Sequence, residues 1–223
     1  ASFRPTMVRF CTTRPTTESY AKGPAPLRWG RGLSHRLDVG TSVRGQNRHF
    51  RLTDVGTSNR CHPDHVGEMF ERMRAGELYI AEDPQMEKLH LAGQDLLERF
   101  NATPARQAHL RTALLQELLG TCGPGVTICP PLRCDYGLHI HVGEGTFINY
   151  DCVLLDAADI HIGAHCQIAP RVTLITSTHP LEPQPRSRGW ESAAPITLHD
   201  NVWLGAGVIV LPGVTIGADT VVG

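Results

Sequence analysis

No apolar run in this 223-residue sequence approaches the ~18 residues that a membrane helix needs, so no span is expected. Net charge is close to absent, at −1, which argues against a general nucleic-acid binder. No Cys-x-x-Cys occurs, and the seven cysteines (Cys11, Cys61, Cys122, Cys129, Cys134, Cys152, Cys166) are odd in number. That fits a reduced, cytoplasmic protein with free thiols better than a disulfide framework. No apolar h-region opens the sequence, so no secretory signal is expected. What is present is enough for a real core: 41% of the residues are hydrophobic.

The charge balance hides an asymmetry. Residues 1–65 carry eleven Lys/Arg, ten of them Arg, against four acids; the remainder carries ten against eighteen. This first region shows neither a helical nor a strand period, and "DVGTS" occurs in it at 38–42 and again at 54–58. It reads as a basic, disordered extension, with an organelle-targeting arm as the functional alternative. Residues 66–122 read as a helical cap. "DHVGEMFERMRAG" spaces Val66, Met69, Phe70 and Met73 helically and stops at Gly76. "DPQMEKLHLAGQDLLERF" has Asp83 as N-cap and Pro84 in the first turn, with Met86, Leu89, Leu96, Leu97 and Phe100 on its apolar face. "TPARQAHLRTALLQELLG" repeats the device with Thr103 and Pro104 and ends at Gly120.

From 123 onward the beat changes to six. Leu198, Leu204, Val210, Ile216 and Val222 are all aliphatic, as are Ile162, Ile168 and Leu174, and Val142, Ile148 and Leu154. Gly follows at 143, 163, 205 and 217. This is the signature of a parallel β-helix built from hexapeptides, three to a triangular coil. The aliphatic residue points into the prism, and the position after it is expected to turn tightly. Residues 180–194 break the beat. Pro180, Pro183, Pro185 and the bounding Pro195 cannot serve a ladder, so the chain must leave the coil there. His179 stands at the root of this excursion. Taken alone it is a loop histidine as readily as a base, although a neutral imidazole can accept a hydroxyl proton near neutral pH.

"RAGELY" (74–79), "RCDYGLHIHVG" (133–143), "NYDCVLLD" (149–156), "IGAHCQIAPRVTLITSTHP" (162–180) and "PITLHDNVWLGAGVIVLPGVTIG" (195–217) together resemble the maltose/galactoside O-acetyltransferase family, in family order over about 70–223. The resemblance implies a mainly β, left-handed parallel β-helix, assembled as a homotrimer with active sites in the clefts between subunits. It implies acetyl-CoA as donor, a sugar hydroxyl as acceptor, and no metal. His179 would deprotonate the acceptor for direct attack on the thioester. Gly205–Ala206 would offer a backbone donor to the oxyanion. Trp203 would line the pantetheine channel or pack at a trimer interface. Asn149, Asp156 and Asp135 would read acceptor hydroxyls, with Asp83 and Glu191 as further candidates. Asp83 has the competing role of N-cap, and Glu191 that of a His179-orienting or simply solvated carboxylate.

Two departures follow. The chain stops at "TVVG", before the further coils and coenzyme contacts that the resemblance implies, and residues 1–65 have no counterpart in the family. The expectation is therefore a C-terminally truncated acyltransferase domain over 123–223. The rival reading from the same prism is a γ-type zinc carbonic anhydrase using His139, His141, His161, His165 or His199. Alternation with Ile140, Val142, Ile160 and Ile162 instead predicts outward, solvated histidines. A third reading is an inactive structural trimer.

Overall fold

The computed structural model describes residues 67–223, so the expectations for the basic extension and for Val66 lie outside the described residues. The strands form three parallel sheets that wind as the faces of a solenoid, as the six-residue beat requires. The first face stacks Thr121–Cys122, Ile140–Val142, Ile160–Ile162, Ile196–Leu198 and Thr215–Ile216. The second stacks Thr127–Ile128, Phe147–Ile148, Gln167–Ile168, Trp203–Leu204 and Val221–Val222. The third stacks Leu132–Cys134, Cys152–Leu155, Thr173–Ile175 and Ile209–Val210. Registers run straight up the columns: Val142 pairs with Ile162, Ile148 with Ile168, and Leu154 with Leu174. Each of these side chains is buried. Because every coil offers the same inward positions, one aliphatic core runs along the prism.

The tight turns fall elsewhere than expected. The left-handed residue is not the one after the aliphatic position. It lies three places beyond it, where Gly145, His165, Asn201 and Asp219 have φ of 65°, 57°, 57° and 60°. Gly143 serves a different need: a Cβ there would stand 2.6 Å from the Ala164 nitrogen of the next coil. Coils also step by 20 residues in the first turns (Thr146 to Cys166) and by 18 later (Asn201 to Asp219). The extra residues collect at the edge where the third face turns into the first.

Three helices precede the prism: α1 (Glu68–Arg74), α2 (Pro84–Asn101) and α3 (Ala108–Leu118). Asp83 caps α2 as expected, accepting from Gln85 N–H at 2.8 Å, with Pro84 in the first turn. Thr103 and Pro104 do not open α3, which begins at Ala108. The Thr103 hydroxyl instead donates back to Phe100 O at 2.7 Å and accepts from Arg111 Nε, closing the end of α2. Helix α2 then lies along the first third-face strand. Asn101 donates to Leu132 O and accepts Leu132 N–H, both at 2.9 Å, while Gln94 donates to Cys134 O at 2.9 Å. Side-chain amides thereby replace a missing strand and protect the edge. Gly93 permits this approach, since a Cβ there would meet Tyr136 O at 2.3 Å.

The excursion is an ordered hairpin. Ser177–Thr178 runs out, α4 (Pro183–Ser187) crosses the tip, and Trp190–Ala193 returns antiparallel, pairing Thr178 with Ser192. On its other side the returning strand pairs with Tyr79–Ile80 of the cap. These strands form a sheet apart from the prism. A second core of Met73, Tyr79, Met86, Tyr136, Ala157, Ala158 and Ala193 fills the space between cap, hairpin and prism edge.

Candidate active site

The sequence candidates divide between the two edges of the third face. Asp135, Asp156, His179 and Glu191 lie where the third face turns into the first. Asn149, Gly205 and Ala206 lie where the second turns into the third, with Trp203 on the second face, 54% exposed. One face width separates the two groups in a single chain.

At the first edge His179 is exposed, one residue past the outgoing strand. Its Nδ1 faces the Trp190 carbonyl at 3.4 Å. A carbonyl can only accept, so the hydrogen on this contact would come from Nδ1. Glu191 belongs to another partner: the buried Tyr79 hydroxyl donates to its Oε2 at 3.1 Å. Burial and the Glu191 charge push the Tyr79 hydroxyl well above its ordinary range, so it stays a donor. Asp135 is half-buried, and its carboxyl accepts no hydrogen bond among the described residues. Burial, with Asp156 and Glu191 nearby, pushes it up to about 6. Tyr136 is pushed up to about 12 by burial and by Asp135, Asp156 and Glu191.

Two expected hydroxyl readers are committed to the fold. Asp156 is 0% exposed. Its Oδ1 accepts Asp135 N–H and Tyr136 N–H, both at 2.9 Å, and its Oδ2 accepts His139 N–H at 3.3 Å. It clamps the preceding coil's corner rather than facing a ligand, and burial raises its pKa. Asp83 accepts Gly67 N–H and Met69 N–H at 3.1 and 3.2 Å besides capping α2. It thus orders the starts of both helices. It also lines a cavity of about 570 Å³ with Ala81, Glu82, Glu87, His90 and Tyr136.

His139 was expected to point outward, yet it is 2% exposed. Its Nδ1 meets Asp156 O at 2.6 Å, its ring lies near Phe70 and Tyr136, and burial lowers its pKa. Strand alternation misplaced it because it precedes the strand and belongs to the corner beneath the cap. His141 and His161 do lie on the outer first face, stacked at 4.8 Å. Asp159 beside them is held by Arg74 at 2.9 Å. Among the described residues, no group of three or more His, Cys, Asp or Glu could hold a metal ion.

At the second edge, Gly205 N–H donates to Val222 O at 2.7 Å, inside the ladder. It is therefore not the free donor expected; coil stacking has claimed it. Ala206 follows it, exposed on the turn. Asn149 is half-buried, and its Oδ1 accepts Tyr150 N–H at 2.8 Å. Sequence reasoning missed Tyr79 and Trp190. "RAGELY" was quoted as a motif, but nothing local signals that its last residue meets Glu191 across 112 positions.

Comparison with known proteins matches this geometry. Residues 72–123 match the maltose acetyltransferase hexapeptide capping motif, and residues 195–223 the bacterial transferase hexapeptide with six repeats. Nodulation protein L of Rhizobium meliloti (strain 1021) is 42% identical over 145 residues, covering 65% of this chain and 79% of that protein. A maltose O-acetyltransferase structure from Clostridium difficile 630 superposes with a TM-score of 0.68 at 40% identity, over 69% of this chain and 82% of that one. A hexapeptide-repeat acetyltransferase from Vibrio cholerae, complexed with acetyl-CoA, gives 0.65 at 35% identity over 70% and 84%. Coil, cap and excursion together define a hexapeptide-repeat acyltransferase. The chain belongs to the maltose/galactoside O-acetyltransferase family.

Proposed function

We propose that this protein moves the acetyl group of acetyl-CoA to a sugar hydroxyl, with His179 as general base. The observation that carries the reading is the His179 Nδ1 contact to the Trp190 carbonyl, which leaves Nε2 as the proton acceptor. The acceptor hydroxyl gives its proton to Nε2 as its oxygen attacks the thioester carbonyl carbon. The tetrahedral oxyanion takes a hydrogen bond from a fixed N–H. Collapse breaks the carbon–sulfur bond, and the imidazolium returns the proton to the departing thiolate. The products are the acetyl ester and free coenzyme A, with no covalent enzyme intermediate.

The donor for the oxyanion is the Ala206 N–H, since Gly205 is bound in the ladder. His179 and Ala206 flank opposite edges of one face, so the complete site takes one edge from each of two chains. That supports a homotrimer, in which three prisms present the His179 edge of one to the Ala206 edge of the next. Trp203 then flanks the coenzyme or the interface, and Asn149 reaches the acceptor from the neighbouring chain. On the His179 edge, Asp135 is the carboxyl best placed to read acceptor hydroxyls. The five described cysteines are free, and no helix among the described residues is long and apolar enough to cross a membrane. The free thiols support a reducing, cytoplasmic setting.

The test is an acceptor screen with radiolabelled acetyl-CoA across maltose, glucose and galactosides, repeated with His179→Ala, alongside sedimentation to read the oligomer. Label in a sugar ester, lost in the variant, is the expected result. Coenzyme binding without transfer to any sugar would discard the acceptor class. Absence of coenzyme binding would favour the inactive trimer.

A further inference from the structure

Reading His179 as the base raises the question of what fixes its ring. Its described polar partner is a main-chain carbonyl, Trp190 O. Whatever places the Trp190 peptide therefore places the imidazole. The returning strand that carries Trp190 is paired on its far side with the cap, Ile80 opposite Trp190 and Tyr79 opposite Glu191.

Two cap side chains reinforce these same two rungs. Arg72 of α1 sets its guanidinium 5.7 Å from the centre of the Trp190 ring. Its Nε meanwhile donates to Leu78 O at 2.7 Å, which ties the arginine to the residue before Tyr79. A planar guanidinium can stack on an indole while donating in its own plane; an ammonium cannot do both. Tyr79, only 2% exposed, donates its hydroxyl to Glu191. Among the described residues no ion pair joins Glu191 to His179, so Glu191 answers to Tyr79 and not to the base.

We propose that Arg72 and Tyr79 are positioning residues for acetyl transfer, clamping the Trp190–Glu191 rungs so that the Trp190 carbonyl keeps His179 in its Nδ1–H tautomer. The inference rests on the reading of His179 as base. Neither residue touches a reacting atom; both act through one strand. Near-attack geometry is steep enough that loosening the base by a fraction of an ångström lowers turnover about tenfold.

The experiment uses the full chain, acetyl-CoA and the best sugar of the screen. It compares Tyr79→Phe, Arg72→Met, Arg72→Lys and His179→Ala by steady-state kinetics, thermal midpoint and 15N NMR of labelled histidine. Tyr79→Phe and Arg72→Met are expected to lower kcat about tenfold while the KM for acetyl-CoA holds within about twofold. The neutral His179 signal is expected to shift from the Nδ1–H form to a mixture. Arg72→Lys recovers part of kcat. Unchanged kcat in Tyr79→Phe and Arg72→Met, beside an inactive His179→Ala, overturns the clamp and leaves the base standing. Full turnover in His179→Ala removes both. A fall in kcat that tracks the thermal midpoint, with the tautomer signal unmoved, also overturns the clamp.

Discussion

The prism and the second core beside it are built on different principles. The prism buries repeated aliphatic side chains in straight columns, and its polar interior groups are few: the Thr146 hydroxyl, for example, donates to Gly163 O and accepts Cys166 N–H. The smaller core is aromatic and titratable, with Asp83 and Tyr79 from the cap and His139 and Asp156 from two coil corners all buried. In the prism each residue repeats its neighbour's geometry one coil away. In the second core each contact is used once and joins distant segments. The repeating part holds most of the buried aliphatic core, and on the proposed reading His179 sits where repetition breaks.

Substitutions can sharpen that contrast. The widest gap is expected between His179→Ala and Leu154→Ala. On the proposed reading, removing the His179 imidazole lowers kcat about 10²–10⁴-fold while leaving denaturant unfolding within about 0.5 kcal/mol. Truncating Leu154, fully buried in its column, costs about 2–5 kcal/mol of stability. Kinetics and urea titration of the two variants should separate cleanly; a His179→Ala protein that unfolds early would blur the division.

Next comes Asp156→Ala, which strands three backbone N–H groups and is expected to cost about 1–3 kcal/mol by urea titration. A variant as stable as the parent would mean that the carboxylate does not clamp the corner.

Asp135→Asn tests the titratable side through pH. Its folded pKa, about 6, lies above the ordinary 3.8, so the folded state holds the proton more tightly. Its contribution is therefore most favourable below about pH 4 and is lost as pH rises through about 6. The asparagine variant should be more stable than the parent near pH 7 and converge with it near pH 4. Parallel stability curves would remove Asp135 as the source. The smallest effect is expected at Trp203→Ala, an outward position where folding stability should change by about 0.5 kcal/mol or less, measured by urea titration.

The same contrast explains what was legible in the sequence. Val142, Ile148, Leu154 and the later columns were readable because a repeated geometry selects the same residue class at a fixed interval. Asp83 with Pro84 was readable because a cap is a local device. Thr103 with Pro104 imitates that device, but the hydroxyl turns backward to Phe100. His139 was misplaced because it precedes its strand and sits in a corner that strand alternation does not orient. Gly205 looked available because a single chain stretch does not show which coil above will take its N–H. Tyr79 and Trp190 acquire their meaning only when the hairpin folds against the cap.

The amide pairing of Asn101 and Gln94 with the first third-face strand has a practical consequence. It fixes where the stack of coils begins, and the hairpin fixes where His179 emerges, two coils further along. Between them the inward columns of the coils repeat one another. Splicing in one more copy of a 20-residue turn between these landmarks should lengthen the tower without disturbing its foundation. It would lift the histidine away from the residues that steady it. On the proposed reading of His179, tower height is thus set by the doorway, and the number of floors between cap and hairpin is a functional dimension of the building.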